Sequence, residues 1–81
     1  MHERIAMNIE IEKKIGQNIK NLREKRKLTQ EQLSAQLQVN GCDITRSALA
    51  KIEVGQRHIY PDELILFKKL LKSTYEDILE I

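Results

Sequence analysis

Apolar residues recur at intervals of three and four positions along most of this 81-residue chain, and this spacing limits its folds more than any other feature. Side chains three or four positions apart share one face of an α-helix, whereas a half-buried strand alternates apolar and polar residues. Helical spacing predominates over such alternation along the chain. Glycine occurs only three times and proline once. The sequence therefore predicts an all-α fold, a compact bundle of five short helices.

Local signals predict where the last four helices begin. Thr29 is followed by Gln32, the pattern of a capping box, in which two side chains bond backbone N–H groups at the start of a helix. Thr45 is a good N-cap for the third helix, with Asp43 as the rival. Pro61 fits the first position of a fourth helix. Thr74 begins a fifth helix with a similar capping pattern.

The chain length is that of one small domain with a modest core. Residues 9–81 are interpreted as that domain, with the first helix over residues 9–27. Residues 1–8 are predicted to be a tail that is either disordered or a helical extension. No apolar run approaches the roughly 20 residues of a membrane span, and the N-terminus lacks the apolar stretch of a secretory signal. We therefore expect a cytoplasmic protein that does not contact membranes.

Chemistry based on cofactors or catalytic side chains finds no support in the sequence. Cys42 is the only cysteine, so an internal disulfide and a zinc site built from cysteines are excluded. His58 is predicted to lie exposed in a loop without a partner. No nucleophile–base set and no glycine-rich phosphate loop is visible. We predict no enzyme activity, no metal, no cofactor and no domain that senses a small molecule.

The stretch from Ile44 to Gly55 is the most informative one for function. Wound as a helix, it places Leu49 and Ile52, together with a small alanine, on an inward side. Gly55 stands where a left-handed residue would end the helix. The outward side is polar and carries a cation at each end. Its residues are Arg46, Ser47, Ala50 and Lys51.

Two short helices joined by a turn, the second with a polar outer face, describe a helix-turn-helix, whose second helix enters the DNA major groove. Arg46 can donate two hydrogen bonds to a guanine, and Ala50 can touch a thymine methyl group. Backbone N–H groups near Thr29 and Gln30 can bind a phosphate. Lys27 is the best placed member of a basic run for the same task. The net charge of +2 alone is weak support for nucleic-acid binding.

Two segments, LTQEQLSAQL (28–37) and TRSALAKIEVGQR (45–57), resemble the helix-turn-helix of phage lambda repressor and Cro relatives, the XRE or Cro/C1-type family. The resemblance implies a five-helix bundle that binds double-stranded DNA. It implies a phosphate contact and support of the reading helix by Gln30, and a further backbone contact by Arg57. It also implies an internal ion pair between Arg23 and Glu53. The base-reading positions of the family match Arg46, Ser47 and Lys51, with Ala50 nearby.

The sequence departs from the family pattern at three places. The turn from Val39 to Ile44 is about five residues longer than usual, and both of its end residues are expected to be buried and to anchor it. Gln38 and Lys72 stand where the family often has glycine. If the long turn does not return the third helix to its usual place, the base-reading assignments shift.

These observations favour a sequence-specific DNA-binding regulator, a repressor, that acts as a homodimer on a near-palindromic operator. The dimer surface is expected to be apolar and distant from the reading helix. The residues expected there are Ile59, Tyr60, Tyr75, Ile78, Leu79 and Ile81. The alternative is a protein-interaction module on the same fold, either an antitoxin-like partner or a subunit of a complex. A third reading is non-specific coating of DNA.

Overall fold

The computed structural model describes residues 8–80, and the chain forms five α-helices within that range. In chain order these are α1 (Ile9–Lys25), α2 (Gln30–Val39), α3 (Arg46–Glu53), α4 (Pro61–Leu70) and α5 (Tyr75–Leu79). α1 packs against α3 and α5, and α2 packs against α3 and α4. The predicted all-α fold of five helices is therefore confirmed, although α1 ends two residues earlier than predicted.

Threonine side chains cap three of the helices, because each hydroxyl accepts a hydrogen bond from a backbone N–H group that has no partner within the helix. Thr29 accepts from the N–H of Gln32 at 3.0 Å, and the Gln32 side chain accepts from the N–H of Thr29 at 2.8 Å. Thr74 and Asp77 form the same reciprocal pair. Thr45 caps α3. The capping predictions for α2, α3 and α5 are confirmed, and α4 begins at its proline.

The start of α1 bears on the predicted tail. Asn8 is the N-cap of α1, and its side-chain oxygen accepts a hydrogen bond from the N–H of Ile11 at 3.2 Å. The remaining residues predicted to form a tail, 1–7, lie outside the described residues.

The core consists of nine large apolar side chains that are at most 1% exposed, and every helix contributes to it. They are Ile19, Leu33, Leu37, Ile44, Leu49, Ile52, Phe67, Leu71 and Ile78. Full burial of one such side chain contributes about 1.5–3 kcal/mol. Because Leu49 and Ile52 are among them, one face of α3 is fixed against the bundle.

Two glycines allow α1 to approach the end of α3 closely. A β-carbon built at Gly16 would overlap the carbonyl oxygen of Ile52 and lie 2.9 Å from the carbonyl carbon of Glu53. Gly55 ends α3 with φ +80°, the left-handed conformation that the sequence predicts for it. A β-carbon there would lie 2.8 Å from the Cα of Lys13. The position of α3 is thus set by backbone contact as well as by its apolar side chains.

The long turn between α2 and α3 is held by hydrogen bonds to the backbone of Ile44. Ser34 Oγ donates to the Ile44 carbonyl oxygen at 2.8 Å, and Gln38 Nε2 donates to the same oxygen at 3.2 Å. Gly41 has φ +84°, which glycine adopts without steric cost. Ile44 is buried as predicted, but Val39 is 85% exposed. The prediction that Val39 anchors the turn is wrong, because Val39 lies two positions beyond a core leucine and so faces away from the core.

The two positions that lack the family's glycine are accommodated differently. α2 continues through Gln38, and Gly41 takes the left-handed conformation instead. At the end of α4, Lys72 itself adopts φ +51°. A residue with a β-carbon pays roughly 1–2 kcal/mol for that conformation.

Candidate nucleic-acid interface

The outer face of α3 carries the side chains predicted to read bases. Arg46, Ser47 and Lys51 are exposed, and Ala50 is half-buried. Neither cation has an ion-pair partner among residues 8–80. Because Leu49 and Ile52 on the opposite face of α3 are buried in the core, these side chains project from a helix that is held in place. That is the arrangement by which a recognition helix presents donors to base edges.

An open cleft of about 450 Å³ joins the start of α2 to the outer face of α3. It is lined by Arg23, Thr29, Gln30, Glu31 and Arg46. The backbone N–H groups of Gln30 and Glu31 have no acceptor within the described part of the chain. Free N–H groups and the helix dipole both favour an anion at this end of α2. The structure thus brings the predicted phosphate contacts Thr29 and Gln30 together with Arg46.

A buried ion pair lies directly behind this cleft. Arg23 Nε donates to Glu53 Oε2 at 2.7 Å, and Arg23 Nη2 donates to Glu53 Oε1 at 3.1 Å. Hydrogen bonding to Glu53 raises the pKa of Arg23 above its ordinary value. Gln30 Nε2 also donates to Glu53 Oε1, at 3.0 Å. The structure therefore joins Arg23 and Glu53, which the resemblance pairs, and adds Gln30 to the same carboxylate.

Arg57 has partners within its own chain and does not line the cleft of Gln30. Its guanidinium donates two hydrogen bonds to Glu63, at 2.8 and 3.0 Å, and one to the carbonyl oxygen of His58 at 2.9 Å. It also lies 5.9 Å from the centre of the Tyr60 ring. The hydrogen bonds from Arg57 lower the pKa of Glu63 below its ordinary value. A phosphate at Arg57 would have to share a guanidinium that Glu63 already binds.

Lys27 lies two residues before the N-cap of α2 and is exposed. Its backbone has φ +59°, and its N–H group donates to the carbonyl oxygen of Glu24 at 2.9 Å. Only Leu28 separates Lys27 from Thr29. Lys27 is therefore close in sequence to the free N–H groups of α2, which attract an anion.

The residues predicted for a dimer surface do not share one environment. Tyr60, Tyr75 and Leu79 are exposed, with 55%, 41% and 40% of their surface accessible, and Ile59 is half-buried. Ile78 is fully buried in the core. Its assignment to an exposed interface is therefore wrong, because the short helix α5 turns this side chain inward. Ile81, also assigned to the dimer surface, lies outside the described residues.

Several contacts at the edge of the site were missed by the sequence analysis. His58 was expected to lack a partner, but His58 Nδ1 lies 2.7 Å from Glu12 Oε2. This contact ties the loop after α3 to α1 across 46 positions. The hydrogen bonds from Ser34 and Gln38 to the carbonyl oxygen of Ile44 were also missed. The sequence around each of these polar side chains contains no pattern that identifies its partner.

Comparison with known families assigns the chain. A family described as a helix-turn-helix domain matches residues 16–80, which is most of the sequence. The chain belongs to this helix-turn-helix family, and the match is consistent with the Cro/C1-type resemblance. Membership indicates a DNA-binding regulator of transcription. No curated protein and no solved structure matches the chain.

None of the described helices is long and apolar enough to cross a bilayer. Among residues 8–80 there is no group of three or more histidine, cysteine, aspartate or glutamate side chains that could hold a metal ion. Burial raises the pKa of the Cys42 thiol, which disfavours the thiolate that binds metals and reacts with oxidants.

Proposed function

We propose that this protein is a sequence-specific transcriptional repressor that reads the DNA major groove with α3. The observation that carries the proposal is the exposure of Arg46 and Lys51, which have no ion-pair partner within residues 8–80, on the outer face of a helix whose inner face is fixed in the core. In the proposed complex, Arg46 donates to a guanine, Lys51 reaches a guanine or a phosphate, and Ser47 donates to or accepts from a base edge.

Contacts with the DNA backbone set the position of α3 in the groove. The free N–H groups at the start of α2, the Gln30 amide and Lys27 are the proposed phosphate ligands. These contacts release counterions from DNA, so the affinity should fall steeply as salt rises. The structure gives less support to Arg57, whose guanidinium is bound by Glu63.

Dimerisation completes the proposal. One domain of this size contacts few bases, so two copies would bind half-sites about 34 Å apart, one turn of the double helix. Tyr60, Tyr75 and Leu79 supply exposed apolar surface for contact between copies, with Ile59 at its edge. The bound dimer would occlude the DNA that it covers, and this is how it would repress transcription.

Selection of bound fragments from a random DNA pool tests this function directly. We expect an enriched inverted repeat, which would establish both specificity and dimeric binding. A charge-removal variant tests the two cations on the selected duplex. Each good base contact contributes about 1–3 kcal/mol, so loss of both in R46A/K51A should weaken binding roughly 30-fold or more. The control K14A/K20A removes the same charge from exposed positions of α1. Equal losses for the two variants would contradict base reading, and equal competition by scrambled DNA would indicate non-specific coating.

A protein-interaction role is the second candidate, and one observation favours it. Val39 and Ile65 are large apolar residues that are 85% and 57% exposed. Ile65 lines an open cleft of about 350 Å³ between the long turn and α4, together with Asn40 and Gly41. If regulation in cells survives R46A/K51A but is lost in V39S/I65S, this role replaces DNA reading.

A further inference from the structure

The carboxylate of Glu53 serves two partners from different helices. Its Oε2 atom accepts from Arg23 Nε, and its Oε1 atom accepts from both Arg23 Nη2 and Gln30 Nε2. The Glu53 side chain is only 1% exposed, whereas Gln30 is half-buried and lines the open cleft at the start of α2. A contact therefore runs from the interior of the domain to its proposed DNA-binding surface.

The chemistry of the two groups fixes the orientation of the glutamine amide. A carboxylate paired with a guanidinium only accepts hydrogen bonds, so Gln30 must turn its nitrogen, and not its oxygen, towards Glu53. The Gln30 nitrogen carries two hydrogens, and the bond to Glu53 uses one of them. The second remains available for an acceptor outside the protein. Without Glu53, the amide could rotate by half a turn and present its oxygen, which repels a phosphate.

We propose that Glu53 is a positioning residue for DNA binding, which holds the Gln30 amide so that its second N–H donates to a DNA phosphate in the cleft at the start of α2. The proposal rests on the proposed DNA-binding function and adds a role that the ion pair with Arg23 alone does not require. It links the core of the domain to its affinity for the DNA backbone.

Removal of Glu53 alone is a poor test, because it leaves Arg23 buried without a partner and destabilises the fold. The double variant R23M/E53M removes both charges and keeps apolar side chains of similar length, a replacement that buried ion pairs often tolerate. In this variant Gln30 loses its acceptor, and the carbonyl oxygen of Leu28 also loses the hydrogen bond that Arg23 Nη1 donates to it. Thermal unfolding followed by circular dichroism verifies that the variant is folded.

The experiment is a double-mutant cycle on the selected operator duplex, with dissociation constants measured by fluorescence anisotropy at fixed salt. We expect Q30A to weaken binding roughly tenfold or more, as a hydrogen bond to a charged group does. R23M/E53M should weaken binding by a similar factor, and adding Q30A to it should change the affinity less than about twofold. If Q30A costs the same factor in both backgrounds, the positioning role is wrong.

Neutralising one phosphate at a time with methylphosphonate supplies a second arm. One position should weaken binding of the unaltered protein, and the loss at that position should shrink to within about twofold for Q30A and for R23M/E53M. An equal loss at that position for all three proteins contradicts the proposal.

Side-chain NMR of the unaltered protein tests the same proposal without a variant, so it can be used even if R23M/E53M does not fold. The two Nε2 protons of Gln30 have separate resonances, and only the one not bonded to Glu53 should shift when the operator duplex is added. A duplex that shifts neither proton, or shifts both equally, overturns the proposal. The proposed function fails separately, if the unaltered protein selects no duplex or if R46A/K51A binds as tightly as the unaltered protein.

Discussion

The two faces of α3 differ in how completely the rest of the domain engages them. On the inner face, Leu49, Ile52 and Glu53 are at most 3% exposed, and both oxygens of Glu53 accept hydrogen bonds. On the outer face, Arg46 and Lys51 are exposed and have no ion-pair partner among the described residues. This eight-residue helix thus has one face that is buried in the core and one face that is exposed to solvent.

This difference shows how a small domain can separate stability from recognition. Burial and backbone packing fix the inner face, so substitutions there should change the free energy of unfolding. The outer face contributes little to folding, since exposed charges without partners stabilise a protein only slightly. Substitutions there should change binding and leave stability nearly unaltered.

The largest effect is expected from truncation of the inner face. L49A should lower the free energy of unfolding by about 2–5 kcal/mol, because it removes buried methyl groups and leaves a cavity. Urea unfolding followed by circular dichroism measures the change. S47A, on the outer face of the same helix, is the control and should change stability by less than about 0.5 kcal/mol. Similar losses for both variants would mean that the two faces are not separate.

Gly16 tests whether backbone contact helps to define the inner face. Replacing glycine with alanine in a helix normally stabilises it by about 0.5–1 kcal/mol. G16A should instead destabilise the protein by about 1–3 kcal/mol, because the new β-carbon would overlap the carbonyl oxygen of Ile52. The sign of the change in unfolding free energy decides between the two outcomes. Stabilisation by G16A would show that α1 and α3 can separate at little cost.

Arg46 tests the outer face alone. R46A should weaken operator binding by about 1–3 kcal/mol. It should change the unfolding free energy by less than about 0.5 kcal/mol. Anisotropy titrations and urea unfolding of the same preparation give both values. A large loss of stability in R46A would show that Arg46 stabilises the fold, and it would contradict the division between the two faces of α3.

The ion pair after α3 is expected to have a smaller effect that depends on pH. Arg57 lowers the pKa of Glu63, so the stability from this pair is present above the ordinary glutamate pKa and is lost as pH falls through the lowered value. The melting temperature of E63Q should therefore lie below that of the unaltered protein at pH 7. The gap should close as the pH falls below about 4. D62N is the control, because it removes a charge at the exposed neighbouring position and leaves the hydrogen bonds between Arg57 and Glu63 in place.

The smallest effect is expected at Val39, which was predicted from the sequence to be buried. Since Val39 is 85% exposed, V39S should change the unfolding free energy by less than about 0.5 kcal/mol. I44S should be severely destabilising, because Ile44 is fully buried in the same connection. Equal costs for V39S and I44S would restore the original prediction that both residues anchor the turn.

The sequence allowed prediction of most of the fold but of only part of the candidate site. The five helices, the threonine caps and the left-handed Gly55 follow from residues within a few positions of each other, and they are confirmed. Ile78 was assigned wrongly because its burial depends on how α5 is rotated against its neighbours. Val39 was assigned wrongly although its position two residues beyond Leu37 places it on the opposite side of α2. The roles of Arg46, Ser47, Ala50 and Lys51 in base reading stay predictions.

What the sequence determined by itself is local. Apolar spacing selects a helix and its buried side, and a capping side chain selects its first residue, because these effects act over about one helical turn. What only the tertiary structure decided is the set of contacts between distant segments. Gln30 meets Glu53 across 23 positions, and Glu12 meets His58 across 46. Such contacts depend on the relative placement of packed helices, which the core as a whole fixes.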